Sequence, residues 1–129
     1  MISALWSNEP TAPVLHSKLS RALQDGPLLI GPAVFGELHA HPKVMPAAIR
    51  ANLHAAGILI DFHIEERAWS LAGQRYAAYA NARRASGSES PRRILTDFLI
   101  GAHALIHADR LVTQDEGIYR CYFPELRLL

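Results

Sequence analysis

The sequence is poor in features that would place it outside the cytoplasm. It has a single cysteine, Cys121, so no disulfide can form within one copy of the chain. Its longest apolar stretches, residues 27–35 and 98–108, are shorter than the roughly 20 residues that a membrane-spanning helix needs. The N-terminus lacks the basic and apolar regions of a secretory signal peptide. We therefore expect a soluble, cytoplasmic protein with no membrane partner.

The chain also lacks a charge excess and a phosphate-binding loop. Thirteen Lys and Arg residues against 12 Asp and Glu give a formal net charge of +1, so no overall field attracts nucleic acid. There is no GxGxxG or Walker motif and no strand-end lysine of the receiver kind, which disfavours a nucleotide-binding or phospho-signalling domain.

The size and composition are those of one globular domain. The chain has 129 residues, of which 50% are hydrophobic and 19% charged. No repeat, low-complexity tract or long linker divides it. We predict a single domain spanning residues 1–129.

Short apolar runs alternate with helical patterns along this domain. Helical spacing, bounded by Pro and Gly, predicts helices at 2–9, 11–24, 33–40, 46–55, 65–85, 96–107 and 115–122. The predicted strands, the first two of which are continuously apolar and so expected to be buried on both faces, are Leu28–Ile30, Ile58–Ile60, Leu111–Thr113 and Leu126–Leu129. The alternation predicts an α/β fold with a parallel sheet.

Three acidic residues are predicted to meet at one edge of this sheet. Glu37 lies in the helix after the first strand, Asp97 in the first turn of the helix before the third strand, and Asp115 directly after that strand. Ligands of parallel sheets bind outside the carboxyl ends of the strands. Clustered carboxylates repel each other unless a hard cation such as Mg²⁺ or Mn²⁺ compensates them. Such an ion can activate water for cleavage of a phosphodiester.

Structural roles compete with these functional ones. An acid in the first turn of a helix most often caps it or complements its dipole, which applies to both Asp97 and Asp115. Arg92 and Arg93 could hold RNA phosphates or form a solvated loop surface. Cys121, in the apolar segment IYRCYF, is expected to be a small core residue.

Several other residues have a structural interpretation that we favour. His103 and His107 have a spacing that can bind zinc, but no third ligand accompanies them. His39 and His41 lie near Glu37 and could contact a substrate, but we favour a role in capping the helix end before Pro42. Trp69, Tyr76 and Tyr79 follow helical spacing and are expected to pack in the core.

Two segments resemble the PIN-domain ribonuclease toxins of the VapC kind. The match is modest in LLIGPAVFGELHAHP and dense in PRRILTDFLIGAHALIHADRLVTQDEGIYRCYFPELRLL, which covers residues 91–129. That second segment has an aspartate followed by Ile-Gly-Ala-His-Ala, then a Thr-x-Asp strand end, then Tyr-x-x-Tyr-Phe-Pro.

The resemblance implies a PIN-like three-layer α/β/α fold with a parallel sheet of order 3-2-1-4-5. It implies a metal-dependent endoribonuclease that hydrolyses RNA phosphodiester bonds with Mg²⁺ or Mn²⁺, as the toxin of a type II toxin–antitoxin system. By match to the motif, Glu37, Asp97 and Asp115 would be the catalytic, metal-binding acids, and Thr113 would supply a supporting hydroxyl. A cognate antitoxin and a homodimer are also implied.

The N-terminus departs from the family pattern. Family members begin with an apolar strand ending in Asp-Thr-Asn or Asp-Thr-Ser, followed by a helix similar to residues 2–6. Met1 falls after that aspartate, so we expect strand 1 and the first metal-binding acid to be absent from this chain. A start further upstream, a segment that fills the gap, or a degenerate copy would each explain this. The alternative function is a degenerate, non-catalytic PIN-fold protein that binds an antitoxin.

Overall fold

The fold is mixed α/β and mostly helical, which confirms the broad class predicted from the sequence. A computed structural model describes residues 12–42, 44–87 and 92–129. The helix predicted at residues 2–9 lies outside these ranges. None of the described helices combines the length and apolar character needed to cross a membrane. The elements, with a 3₁₀ turn at Pro46–Ala48 before α3, are α1 (Ala12–Asp25), β1 (Leu28–Ile30), α2 (Pro32–Leu38), α3 (Ile49–Ala55), β2 (Ile58–Ile60), α4 (Glu66–Ser86), α5 (Leu95–His107) and α6 (Glu116–Tyr122).

The described chain divides into two compact units. The first contains the described residues up to His63, together with Val112–Gln114 and Leu129. The second contains Ile64–Leu111 and Asp115–Leu128.

A short parallel sheet forms the centre of the first unit. Strands β1 and β2 pair in parallel, with Leu29 opposite Leu59. Side chains alternate across a strand, and in this sheet only one face is covered. Ile30 and Ile58 are buried against apolar residues of α1, α2 and α3, whereas Leu29 and Leu59 are exposed. The prediction that these runs are buried on both faces is therefore wrong for the described residues.

The turn from α3 into β2 depends on Gly57. This residue follows the C-terminus of α3 with φ of 72°, in the left-handed region that glycine adopts without strain. Its N–H donates a hydrogen bond of 3.0 Å to the carbonyl of His54. The predicted role of Gly57 in closing the helix is confirmed.

Helices α4, α5 and α6 enclose an aromatic core in the second unit. Phe98 and Phe123 are both 0% exposed, with ring centroids 6.2 Å apart. Tyr79 packs on Phe98 at 5.6 Å and edge-on to Tyr122 at 5.7 Å. The ring of Phe123 lies directly over Gly101 of α5: a Cβ atom at position 101 would be 2.6 Å from its Cε2 atom.

The two C-terminal strands predicted from the sequence are represented by one parallel bridge, between Leu111 and Leu128. The N–H of Leu111 donates a hydrogen bond of 2.8 Å to the carbonyl of Arg127. Bends at Asp109 and Gln114 flank one segment, and a turn at Pro124–Glu125 precedes the other. Each extended segment is therefore too short for a longer ladder, and the described sheet has two strands.

Candidate functional site

Asp97 caps the N-terminus of α5. The backbone N–H of Ile94 donates to Asp97 Oδ2 at 3.2 Å, and the N–H of Asp97 donates to the Ile94 carbonyl at 3.1 Å. This reciprocal pair of hydrogen bonds places the carboxylate at the positive end of the helix dipole. The structural role considered for Asp97 is thus present. A carboxylate that accepts one hydrogen bond keeps lone pairs for further ligands.

Asp115 is the N-cap residue of α6, but its side chain makes no capping hydrogen bond. Its Oδ2 atom instead accepts a charge-assisted hydrogen bond from Nη1 of Arg93. The two side chains are 47% and 36% exposed, so this ion pair lies at the surface. The capping role considered for Asp115 is wrong, because an ion pair takes its place.

Arg93 connects the two aspartates. Its main chain is anchored, since its N–H donates to the Tyr79 hydroxyl at 2.8 Å and Tyr79 packs in the aromatic core. The hydrogen bond to Asp115 raises the pKa of Arg93, partial burial opposes this, and electrostatic attraction to Asp115 and Asp97 adds to it. One guanidinium therefore compensates two carboxylates. We call Arg93, Asp97 and Asp115 the Arg93 cluster.

Sequence reasoning missed the pairing of Arg93 with Asp115. Both Arg92 and Arg93 were predicted to contact RNA or to face solvent as part of a loop. Arg92 is exposed, whereas Arg93 has a carboxylate partner far along the chain. No spacing rule connects residues so far apart, and only the packing of the second unit brings them together.

The other predicted site residues lie in the first unit. Glu37 is exposed on α2. Thr113 is buried, and its N–H donates a hydrogen bond of 3.4 Å to the carbonyl of Leu129. The predicted roles of Glu37 as a metal-binding acid and of Thr113 as a supporting hydroxyl stay predictions.

The donor chemistry of the Arg93 cluster fits a hard cation. Mg²⁺ is commonly held by one or two protein carboxylates, with waters and substrate phosphate completing its coordination. Asp97 and Asp115 are such a pair, and Arg93 supplies their countercharge. Over the described ranges, no group of three or more His, Cys, Asp or Glu side chains is arranged to hold a metal ion.

The histidine pair on α5 has a different environment. The rings of His103 and His107 lie 5.1 Å apart, and His103 is buried. His107 Nε2 lies 3.4 Å from Glu65 Oε1 at the start of α4. These contacts do not test zinc binding, so the structural interpretation of the histidine pair stays a prediction.

The structural roles predicted for the remaining histidine, aromatic and cysteine residues are confirmed in some cases and wrong in others. His39 follows α2 directly, and its Nδ1 is 3.0 Å from the carbonyl of Phe35, as expected for a helix-end residue. Tyr76 and Tyr79 pack in the core, as predicted. Trp69 and Cys121 were expected in the core and are exposed, because each lies outside the buried face of its helix.

Comparison with known proteins adds no relative. A scan against family models finds no match, and neither the curated proteins nor the solved structures contain one that matches this chain. A function must therefore be inferred from the side chains described above and from the residues that carry the PIN resemblance.

Proposed function

We propose that this chain is a PIN-like, metal-dependent endoribonuclease that hydrolyses RNA phosphodiester bonds as the toxin of a type II toxin–antitoxin system. The proposal includes a three-layer α/β/α fold whose sheet has the family order 3-2-1-4-5 without its strand 1, a cognate antitoxin and a homodimer. One observation carries it: Asp115, an acid in the densest part of the resemblance, forms an ion pair with Arg93 at the protein surface, and the charge of Asp97 also contributes to the raised pKa of Arg93.

In this proposal Asp97 and Asp115 hold Mg²⁺ or Mn²⁺. A bound ion would supply an activated water and neutralise the charge that develops on the phosphodiester. The hydrogen bond from Ile94 orients the Asp97 carboxylate at the start of α5. Glu37 is the third acid that the resemblance assigns.

Under this proposal, Arg93 pairs with Asp115 before metal binding and with an RNA phosphate after it. In the structure it compensates Asp115, but an exposed ion pair contributes only about 0–1 kcal/mol, so a divalent cation can displace it. The released guanidinium presents donors in a fork that matches the oxygens of a phosphate. Arg93 would then hold RNA beside the two aspartates.

An RNA cleavage assay tests the proposal. The wild-type chain is expected to cut single-stranded RNA with Mg²⁺ or Mn²⁺ and to stop when EDTA is added. Asp97→Asn and Asp115→Asn should each lower the rate by more than about 100-fold, because a metal ligand contributes several kcal/mol to the transition state. Asn also caps helices, so Asp97→Asn removes the charge and keeps the helix start.

The matched control is Asp109→Asn, which removes an exposed carboxylate from the same unit. This variant should cleave at the wild-type rate. Glu37→Gln tests the third predicted acid in the same assay. Wild-type cleavage rates in both Asp97→Asn and Asp115→Asn would contradict the proposed site.

A non-catalytic, antitoxin-binding protein is the second candidate. Two observations favour it: Arg93 already neutralises the aspartates, and Ile94 and Leu95 beside it are exposed apolar residues of the kind that a protein partner covers. The same assay separates the two functions. A folded chain that neither cleaves RNA nor binds Mn²⁺ supports the binding protein.

A further inference from the structure

A cluster of three rings lies on the first unit, where α2, α3 and the segment after β2 meet. The rings of Phe35 and Phe62 are 5.4 Å apart at their centroids and meet edge to face, at 81°. His39, one turn after Phe35 on α2, packs edge-on against it at 4.9 Å. Phe62 is 52% exposed, which is unusual for a phenylalanine held in an ordered cluster. The outer part of the cluster therefore faces solvent.

Arg50 of α3 adds a positive charge to these rings. Its guanidinium carbon lies 5.5 Å from the centroid of Phe35 and 5.5 Å from that of Phe62. Arg50 forms no ion pair with any residue in the described ranges, in contrast to Arg75 and Arg93. These cation–π contacts hold the guanidinium beside the rings, while its N–H groups can still donate to an anion. We call Phe35, His39, Arg50 and Phe62 the Phe62 platform.

The platform is separate from the acids of its own unit. Phe35 and His39 are four residues apart and share one face of α2, whereas Glu37 is two residues from each and lies on another face. Asp61 precedes Phe62, and its Oδ1 accepts a hydrogen bond of 2.9 Å from the N–H of His63. This bond turns the backbone locally at Phe62.

An exposed ring beside an uncompensated arginine matches the two parts of a nucleotide. Unpaired bases stack on aromatic side chains and guanidinium planes, and phosphates accept hydrogen bonds from arginine. A purely apolar partner would gain nothing from the charge of Arg50, and a simple anion would gain nothing from the ring of Phe62. A ligand with a flat base and a phosphate would use both parts of the platform.

We infer that the Phe62 platform binds one nucleotide of single-stranded RNA, with a base against the ring of Phe62 and a phosphate against Arg50. The choice of RNA rests on the proposed function. The platform shares no residue with the Arg93 cluster, so binding and cleavage would depend on different residues. Double-stranded RNA should bind less well, because its bases are stacked within the duplex.

Fluorescence anisotropy with a short, labelled single-stranded RNA in EDTA tests this inference without cleavage. Phe62→Ala should weaken binding by about 5- to 100-fold, the range measured when a stacking aromatic residue is removed. Arg50→Gln should weaken binding and lower the slope of log affinity against log salt by about one, as for one lost phosphate contact.

Two matched variants separate the platform from general effects. Trp69→Ala removes another half-exposed aromatic ring, and Arg21→Gln removes another exposed arginine of the first unit. Both should bind RNA like the wild type. Thermal unfolding of all four variants is measured in parallel, so that binding is compared only between folded proteins.

Several outcomes would overturn the inference. Wild-type affinity in folded Phe62→Ala, or equal losses in Trp69→Ala and Arg21→Gln, would show that the platform is not the binding site. A wild-type dimer that Phe62→Ala converts to monomers, with unchanged RNA affinity, would make the platform an interface between copies. RNA binding that depends on Phe62 without cleavage would sustain this inference and refute the nuclease. Cleavage by the wild type, together with unchanged RNA binding in Phe62→Ala, would support the nuclease and refute this inference.

Discussion

Arg93 compensates the carboxylates to which we assign the metal ion. A divalent cation must therefore displace it, and the exposed ion pair sets the cost at no more than about 1 kcal/mol. Arg93→Gln should bind Mn²⁺ up to about fivefold more tightly than the wild type, as measured by isothermal titration calorimetry.

Arg92→Gln is the control for this prediction, because it removes the same charge from the adjacent, exposed position. It should change the affinity for Mn²⁺ much less. If the two variants bind Mn²⁺ alike, Arg93 does not compete with the metal, and only the net charge matters.

The absence of a side chain at Gly101 leaves the space that the Phe123 ring fills in the second unit. Phe123 is 0% exposed and lies within 2.6 to 2.8 Å of a Cβ atom built at position 101, so neither group has room to move. Gly101→Ala should lower the free energy of unfolding by about 1–3 kcal/mol through overpacking. Urea denaturation measures this loss.

Gly73→Ala makes the same change in α4, where nothing lies within 4 Å of the added atom. It should raise stability by about 0.5–1 kcal/mol, because alanine is the better helix former. A loss of stability in both variants would mean that the contact with Phe123 is not the cause.

At the scale of the elements, an ion pair joins α4 to the turn after α6. Arg75 Nη2 lies 2.6 Å from Glu125 Oε1, and its guanidinium carbon lies 5.6 Å from the centroid of the Phe123 ring. A hydrogen bond from its own backbone N–H lowers the pKa of Glu125, and Arg75 adds to the effect. The pair is half exposed, so we expect less than about 1 kcal/mol from it.

The direction of this pKa shift predicts a pH dependence. A carboxyl group with a lowered pKa in the folded state stabilises it above the unfolded pKa and loses this effect as the pH falls through the folded one. Glu125→Gln should therefore lower the melting temperature slightly at neutral pH. The difference should shrink as the pH falls below about 4.5, the ordinary value for glutamate. A difference that persists after Glu125 is protonated would exclude the charge as its cause.

Helices were the most predictable elements of this chain. Local apolar spacing with Pro and Gly at the ends placed α4 and α5 within one residue of their observed bounds. Strands were less predictable, since a run such as Leu111–Thr113 forms a ladder only if a long enough neighbour is present. The same limit applies to the candidate site. The position of Asp97 at a helix start could be predicted from the sequence, but the nearby guanidinium of Arg93, which pairs with Asp115, could not.

At the level of the whole molecule, the segment that resembles PIN proteins uses different residues for packing and for the function that we propose. Its buried residues include Leu99, Ala102, His103, Tyr119 and Phe123. In contrast, Arg93, Asp97 and Asp115 of the same segment are not buried. The net charge of +1 adds no general attraction for RNA, so the RNA binding that we propose would have to come from local groups such as Arg50 and Arg93.

The contact between Gly101 and Phe123 also has an evolutionary consequence. Two positions that fill one space can change only together, so a related sequence with a side chain at position 101 should have a smaller residue at 123. The glycine and the terminal aromatic residue would then be inherited as a pair in active and inactive proteins alike. In a set of related sequences, conservation of Asp97 and Asp115 would support the catalytic role that we propose, whereas conservation of Gly101 and Phe123 would indicate only common ancestry.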